Sequence, residues 1–157
     1  MPPPLILDPA QLDLSQCVAD AAEIERHNPH RFEFRLLDAV VYLDKERGIY
    51  VGYHDVRTDA FWVRGHIPGR PLFPGVLMIE AAAQLASYLY HSLFPGMNFL
   101  GFTGVDGVKF RGVVEPPARL VVVGHGVQMK PRRLICATQG FVGETMVFEA
   151  TITGMPV

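Results

Sequence analysis

The chain has 157 residues, 49% of them hydrophobic and 19% charged, with a formal net charge of −2. That length suits one domain with a sizeable core, and the composition excludes a disordered chain. The near-neutral balance gives no general attraction to nucleic acid or to an anionic membrane.

Residues 1–10 are rich in proline and are expected to be extended. A short helix is predicted over Ala19–His27, where Ala19, Ala21, Ala22 and Ile24 sit among acids. Asn28-Pro29 stops it, because the residue before a proline disfavours helix. Leu36–Leu43 and Ile49–His54 flank the charged turn Asp44-Lys45-Glu46-Arg47-Gly48 and read as a hairpin. Asp59–Arg64 is a connector containing the single tryptophan, Trp62. Prolines at 68, 71 and 74 and glycines at 65, 69 and 75 keep residues 65–75 out of regular structure. Val76–Ser92 lacks both residue types and is rich in Ala, Leu and Met, so it is the strongest predicted helix. Its polar residues Glu80, Gln84, Ser87 and His91 fall four, three and four positions apart and form one narrow stripe. The rest of its surface is apolar, as in a buried helix. Strands are predicted over Phe99–Phe110, Arg119–Met129, Leu134–Phe141 and Thr145–Thr153. Several long strands and one buried helix give an α+β domain spanning residues 1–157, with an antiparallel sheet wrapped around the helix.

Cys17 and Cys136 form neither a CxxC pair nor a metal spacing, so a reducing compartment is expected. The N-terminus lacks the basic start and apolar run of a secretory signal. No run of about 18 apolar residues offers a membrane span, and the expected location is cytoplasmic.

Three positions could carry chemistry. A carboxylate at Glu80 in an apolar helix is expensive unless it is paired, and burial would raise its pKa toward that of a general acid. A stripe facing solvent would explain Glu80 equally well. His66 precedes a stiff proline-rich loop that could hold a base at a defined angle, although a loop histidine bonded to backbone has the same sequence. Gly75 at a helix start leaves an N–H unobstructed, which suits an oxyanion donor or a plain Pro-Gly helix entry. No GxSxG, no phosphate-binding glycine loop and no metal-ligand spacing occurs. Lys109, Arg111, Lys130, Arg132 and Arg133 form two small basic groups, either a solvated surface or a docking patch for an acidic partner.

The run Gly65-His66-Ile67-Pro68-Gly69-Arg70-Pro71-Leu72-Phe73-Pro74-Gly75-Val76-Leu77-Met78-Ile79-Glu80, continuing to Gln84, resembles the signature of the 3-hydroxyacyl-acyl-carrier-protein dehydratases. Asn28-Pro29-His30-Arg31 with Asp38, and Val108-Lys109-Phe110-Arg111, are similar to two further segments of that family. Ile67, Phe32, Glu33, Arg70 and Phe73 depart from its commonest residues, and the 27 residues at the N-terminus exceed its usual lead-in. The resemblance implies a hot-dog fold and a homodimer, assembled in some members as a trimer of dimers. Sites shared between subunits are implied, with no metal and no cofactor. It implies His66 and Glu80 as the catalytic pair, Gly75 and Gly65 as thioester-binding positions and Gln84 as the support of the acid. Glutamate at position 80 resembles the type that only dehydrates, whereas the isomerising type carries aspartate there. The implied reaction is reversible dehydration of a (3R)-3-hydroxyacyl thioester on acyl carrier protein. A hot-dog thioesterase, an enoyl-coenzyme A hydratase and a non-catalytic carrier-binding homologue remain alternatives.

Overall fold

Helix α1 (Ala21–His27) begins where Asp20 accepts a hydrogen bond from the Glu23 N–H at 2.9 Å, an N-cap that fixes the first turn. The helix therefore starts after Ala19, which forms an isolated bridge with Val40. The computed structural model describes residues 2–157, so Met1 of the proline-rich start lies outside the described residues. Strands β1 (Ala39–Asp44) and β2 (Ile49–Val56) form the expected hairpin. Leu36 and Leu37 are buried but precede the strand, because the Leu36 N–H donates to the Gln84 side chain at 2.9 Å and not to a ladder.

The long helix α2 (Gly75–Leu93) is followed by β3 (Leu100–Phe110), β4 (Ala118–Lys130), β5 (Arg133–Val142) and β6 (Thr145–Pro156). These strands make one six-stranded antiparallel sheet in the order β1-β2-β4-β5-β6-β3. Alternation along the strands gives the sheet two apolar faces. The inner face, with Val40, Tyr50, Leu120, Val122 and Phe148, packs on Met78, Leu85 and Leu89 of α2. This is the expected α+β arrangement of a sheet around one helix. One close fit shows how tightly the inner face is filled. Tyr50 lies opposite Gly124, and a Cβ on that glycine would sit 2.1 Å from the tyrosine ring. Both cysteines are free, and burial pushes the Cys136 thiol up to about 12, which keeps it protonated in the core.

The outer face carries Ala39, Val41, Val51, Val121, Val123 and Phe141. Ile6, Leu7, Leu12 and Leu14 lie over it. Buried Gln139 secures this cover, since its Oε1 accepts from the Ile6 N–H at 3.0 Å and its Nε2 donates to the Pro4 carbonyl at 2.9 Å. The N-terminal extension is thus part of the domain's packing.

The two sheet edges differ. The N–H groups of Val18 and Ala19 donate to the Val40 carbonyl and cover the outer edge of β1. β3 pairs with β6 alone among the described residues, and it exposes Phe102, Val105 and Phe110. Among the described residues, no helix is long and apolar enough to cross a membrane.

Removing residues 2–14 should lower the unfolding free energy by about 2–4 kcal/mol, the scale of one or two large apolar side chains leaving a buried site. Urea unfolding measures this, and a truncated chain as stable as the parent would contradict the covering role.

Candidate active site

The polar stripe of α2 faces protein and not solvent. Gln84 is 1% exposed and Ser87 3%. The Gln84 amide is almost fully used: Oε1 accepts from the Leu36 N–H, while Nε2 donates to the Phe34 carbonyl at 2.8 Å and to Glu80 Oε1 at 2.9 Å. Asn28 Nδ2 donates to the Gln84 backbone carbonyl at 2.8 Å. One glutamine thereby ties the segment before β1 to the helix and orients the carboxyl one turn away. The Glu80 side chain is 22% exposed.

The loop before α2 is stapled at several points. The Trp62 carbonyl accepts from the Gly65 N–H at 3.1 Å and the His66 N–H at 2.8 Å. His66 Nδ1 lies 2.8 Å from the Leu72 carbonyl oxygen, and the Leu72 N–H donates to the His66 carbonyl, also at 2.8 Å. A carbonyl can only accept, so this bond selects the ring form with the proton on Nδ1 and leaves the Nε2 lone pair free as a base. Ile67 and Arg70 exchange backbone hydrogen bonds across the turn, and the Phe73 N–H donates to the Val114 carbonyl. The His66 ring is held from one side and open to solvent on the other.

Pro74 precedes α2 and Gly75 opens it. The carbonyl of Pro74 accepts from the N–H groups of Leu77 and Met78. The Gly75 N–H stands at the helix end, where the dipole is positive and no preceding turn supplies an acceptor. A Cβ at this position would sit 2.8 Å from the ring of half-exposed Phe110, so a larger residue here would push that ring aside.

His66 and Gly75 therefore mark the two ends of one rigid loop, and Glu80 and Gln84 form a second group along the helix. No hydrogen bond or ion pair among the described residues joins His66 to Glu80 within the chain. The Gly65 N–H is already given to Trp62, which leaves Gly75 as the available donor. The candidate docking residues do not form one patch. Arg111 Nε donates to Glu149 at 2.7 Å and is mostly buried, whereas Lys109, Lys130, Arg132 and Arg133 are exposed. Lys130 and Arg133 pair at the tip of the β4–β5 hairpin, while Lys109 pairs with Glu149 in the row of Gln139, about 20 Å from Arg133 along the strand and two strands across. Among the described residues, no group of three His, Cys, Asp or Glu side chains could hold a metal ion.

One neighbour of the site was not singled out from the sequence. His30 Nε2 lies 3.6 Å from Glu80 Oε1. Asn28-Pro29-His30-Arg31 reads from the sequence as a helix stop and as a segment similar to the family's, and neither reading shows that His30 reaches Glu80. Replacing Gln84 with leucine strands the Leu36 N–H and the Phe34 carbonyl without partners. Gln84→Leu should cost about 2–4 kcal/mol in urea unfolding, and an unchanged midpoint would contradict its role as the tie.

The FabA-like domain family matches residues 28–151. A curated 3-hydroxyacyl-[acyl-carrier-protein] dehydratase FabZ from Campylobacter jejuni is 34% identical over 143 residues, covering 88% of this chain and 97% of that protein. The FabZ of Fusobacterium nucleatum is 32% identical, covering 85% of this chain and 94% of its own. Among solved structures, the dehydratase heterocomplex ApeI:P from Xenorhabdus doucetiae superposes with a TM-score of 0.71 at 15% identity, covering 85% of this chain and 91% of that one. Cj0977, a sigma28-regulated virulence protein from Campylobacter jejuni, gives 0.68 at 14% identity, covering 93% and 96%. At such identities the structures speak for the hot-dog fold alone. The family match and the curated relatives go further: the chain belongs to the FabA-like family and stands within it beside the FabZ dehydratases.

Proposed function

We propose that this protein is a hydro-lyase that converts (3R)-3-hydroxyacyl thioesters on acyl carrier protein to trans-2-enoyl thioesters in fatty acid biosynthesis. The observation that carries this reading is the state of His66: Nδ1 is locked onto the Leu72 carbonyl, so Nε2 is presented as a base beside the loop that ends at the Gly75 N–H. Nε2 removes the C2 proton, which is acidic because it is next to the thioester carbonyl. The Gly75 N–H stabilises the negative charge that develops on the thioester oxygen. Glu80, oriented by Gln84, protonates the departing hydroxyl, and water leaves.

No hydrogen bond or ion pair among the described residues joins His66 to Glu80 within the chain, which supports a site completed by a second copy. The open β3 edge supports this. It runs 11 residues with unpaired backbone groups and exposed Phe102 and Val105, and such an edge pairs readily with its own kind. Antiparallel pairing of two β3 edges would make one continuous sheet and a homodimer, and dimers of this kind could assemble into a trimer of dimers. The exposed tip residues Lys130, Arg132 and Arg133 are suited to docking an acidic carrier protein.

His66→Ala and Glu80→Gln should each lower kcat for enoyl formation by about 10²–10⁴. Enoyl absorbance measures dehydration, and free-thiol release measured in parallel distinguishes it from thioester hydrolysis. Near-parental dehydration by His66→Ala, or thiol release as the main activity, would overturn the reading. Val105→Lys places like charges along the open edge. It should give a folded monomer by sedimentation with little activity, and an active monomer would contradict the shared site.

A further inference from the structure

We propose that His30 shares a proton with Glu80, so that the leaving hydroxyl is protonated by a histidine–carboxyl pair and not by a carboxyl acting alone. The inference rests on the reading of Glu80 as the acid. His30 would be a positioning residue, acting through Glu80 without touching substrate.

The geometry comes first. His30 Nε2 lies 3.6 Å from Glu80 Oε1, and the two side chains are only 17% and 22% exposed. They line a narrow pocket of about 40 Å³ with Ser87, Phe99, Leu100 and Ile152. The His30 ring packs edge-on against Phe99, with ring centres 5.9 Å apart. Its Nδ1 and the Ser87 hydroxyl are buried without hydrogen-bond partners among the described residues. The backbone around His30 is gripped on both sides. Asn28 donates to the Gln84 carbonyl, and one Arg31 Nη1 donates to the carbonyls of Asn28 and His30, both at 2.9 Å. A ring held this firmly against a carboxyl, in a pocket otherwise largely apolar, has little use as packing alone. The separation is longer than a hydrogen bond, and acid–base contacts commonly tighten only when substrate is bound.

The electrostatics follow from the same surroundings. Burial pushes the His30 imidazolium below its ordinary range, the Glu80 carboxylate opposes that, and Arg31 adds to it. Glu80 is the one charged group facing His30 from α2, and the pocket residues of β3 and β6 carry no charge. The ring is therefore protonated favourably only when Glu80 is ionised. One proton has two arrangements, a neutral pair or an ion pair, and its titration belongs to the pair and not to either residue. In the forward reaction His66 takes the C2 proton while the pair gives its proton to the hydroxyl as the C–O bond breaks. His66 then releases one proton to solvent and the pair takes one up, so the cycle closes without net charge.

His30→Gln keeps an amide N–H near Glu80 and removes the titrating ring. The test is kcat and KM against pH for the parent and this variant on a carrier-bound 3-hydroxyacyl substrate. The expected result is an alkaline limb moved to lower pH by about one unit or more, an acid-side kcat within about threefold of the parent, and an unchanged KM. A superposable profile, or an equal loss at every pH, overturns the shared proton. Should the variant fold poorly, nitrogen-15 ring shifts of His30 in the parent and in Glu80→Gln give the same answer. The His30 titration midpoint should fall when Glu80 is neutralised, and an unmoved midpoint overturns the proposal. A fully active Glu80→Gln defeats the reading of Glu80 as the acid, whereas an inactive Glu80→Gln beside a parental His30→Gln profile defeats the proton sharing alone.

Discussion

The structure turns on the Gln84 amide. A helix buried by a curled sheet must hide every polar group it carries, and a buried amide without partners costs about 1–3 kcal/mol. Gln84 meets this demand with three hydrogen bonds to Leu36, Phe34 and Glu80. Two of them hold the segment that leads into β1, and the third fixes the carboxyl. Folding and chemistry are thus tied at one side chain, and the same packing that hides the glutamine brings His30 and Glu80 together.

Around this centre the molecule divides its constraints. Rigidity before α2 comes from backbone hydrogen bonds within the Gly/Pro loop, which set the His66 ring and the Gly75 N–H in fixed relation. In the proposed reaction, a loop held in this way removes the need to order His66 as the base. The outer face of the sheet is closed by the chain's own N-terminal segment, secured by Gln139. The β3 edge is left open. That edge, unpaired among the described residues, and the lack of any hydrogen bond or ion pair between His66 and Glu80 within the chain are what support a proposed site belonging to two subunits.

Much of this could be read from residue order. The apolar surround of α2 and the alternation of the later strands gave the sheet-and-helix arrangement, with strand bounds displaced by only a few residues. The prolines and glycines of 65–75 marked the loop that places His66 and Gly75. The inward turn of the Glu80–Gln84–Ser87 stripe could not be read, because a stripe of that spacing serves solvent as well as a buried network. The start of β1 was set too early, since nothing local shows that the Leu36 N–H is spent on a glutamine 48 residues away. The covering role of residues 4–14 was hidden for the same reason: it depends on Gln139, 133 residues from Ile6. Arg111 looked like part of a basic patch, but Glu149 on the neighbouring strand claims it. The approach of His30 to Glu80 could not be read from the Asn28–Arg31 segment, because the partner lies on another element.

The shared site is tested most directly by mixing two inactive variants. A dimer of one His66→Ala subunit and one Glu80→Gln subunit contains one intact site, formed by the unaltered histidine of one and the unaltered acid of the other, and one doubly damaged site. After random exchange of subunits, half of the dimers are of this mixed kind, so dehydration should return to about a quarter of the parental rate. Recovery to that level is the predicted result. A mixture that exchanges subunits yet stays as inactive as its two components would contradict a site built from His66 and Glu80 across the subunit boundary.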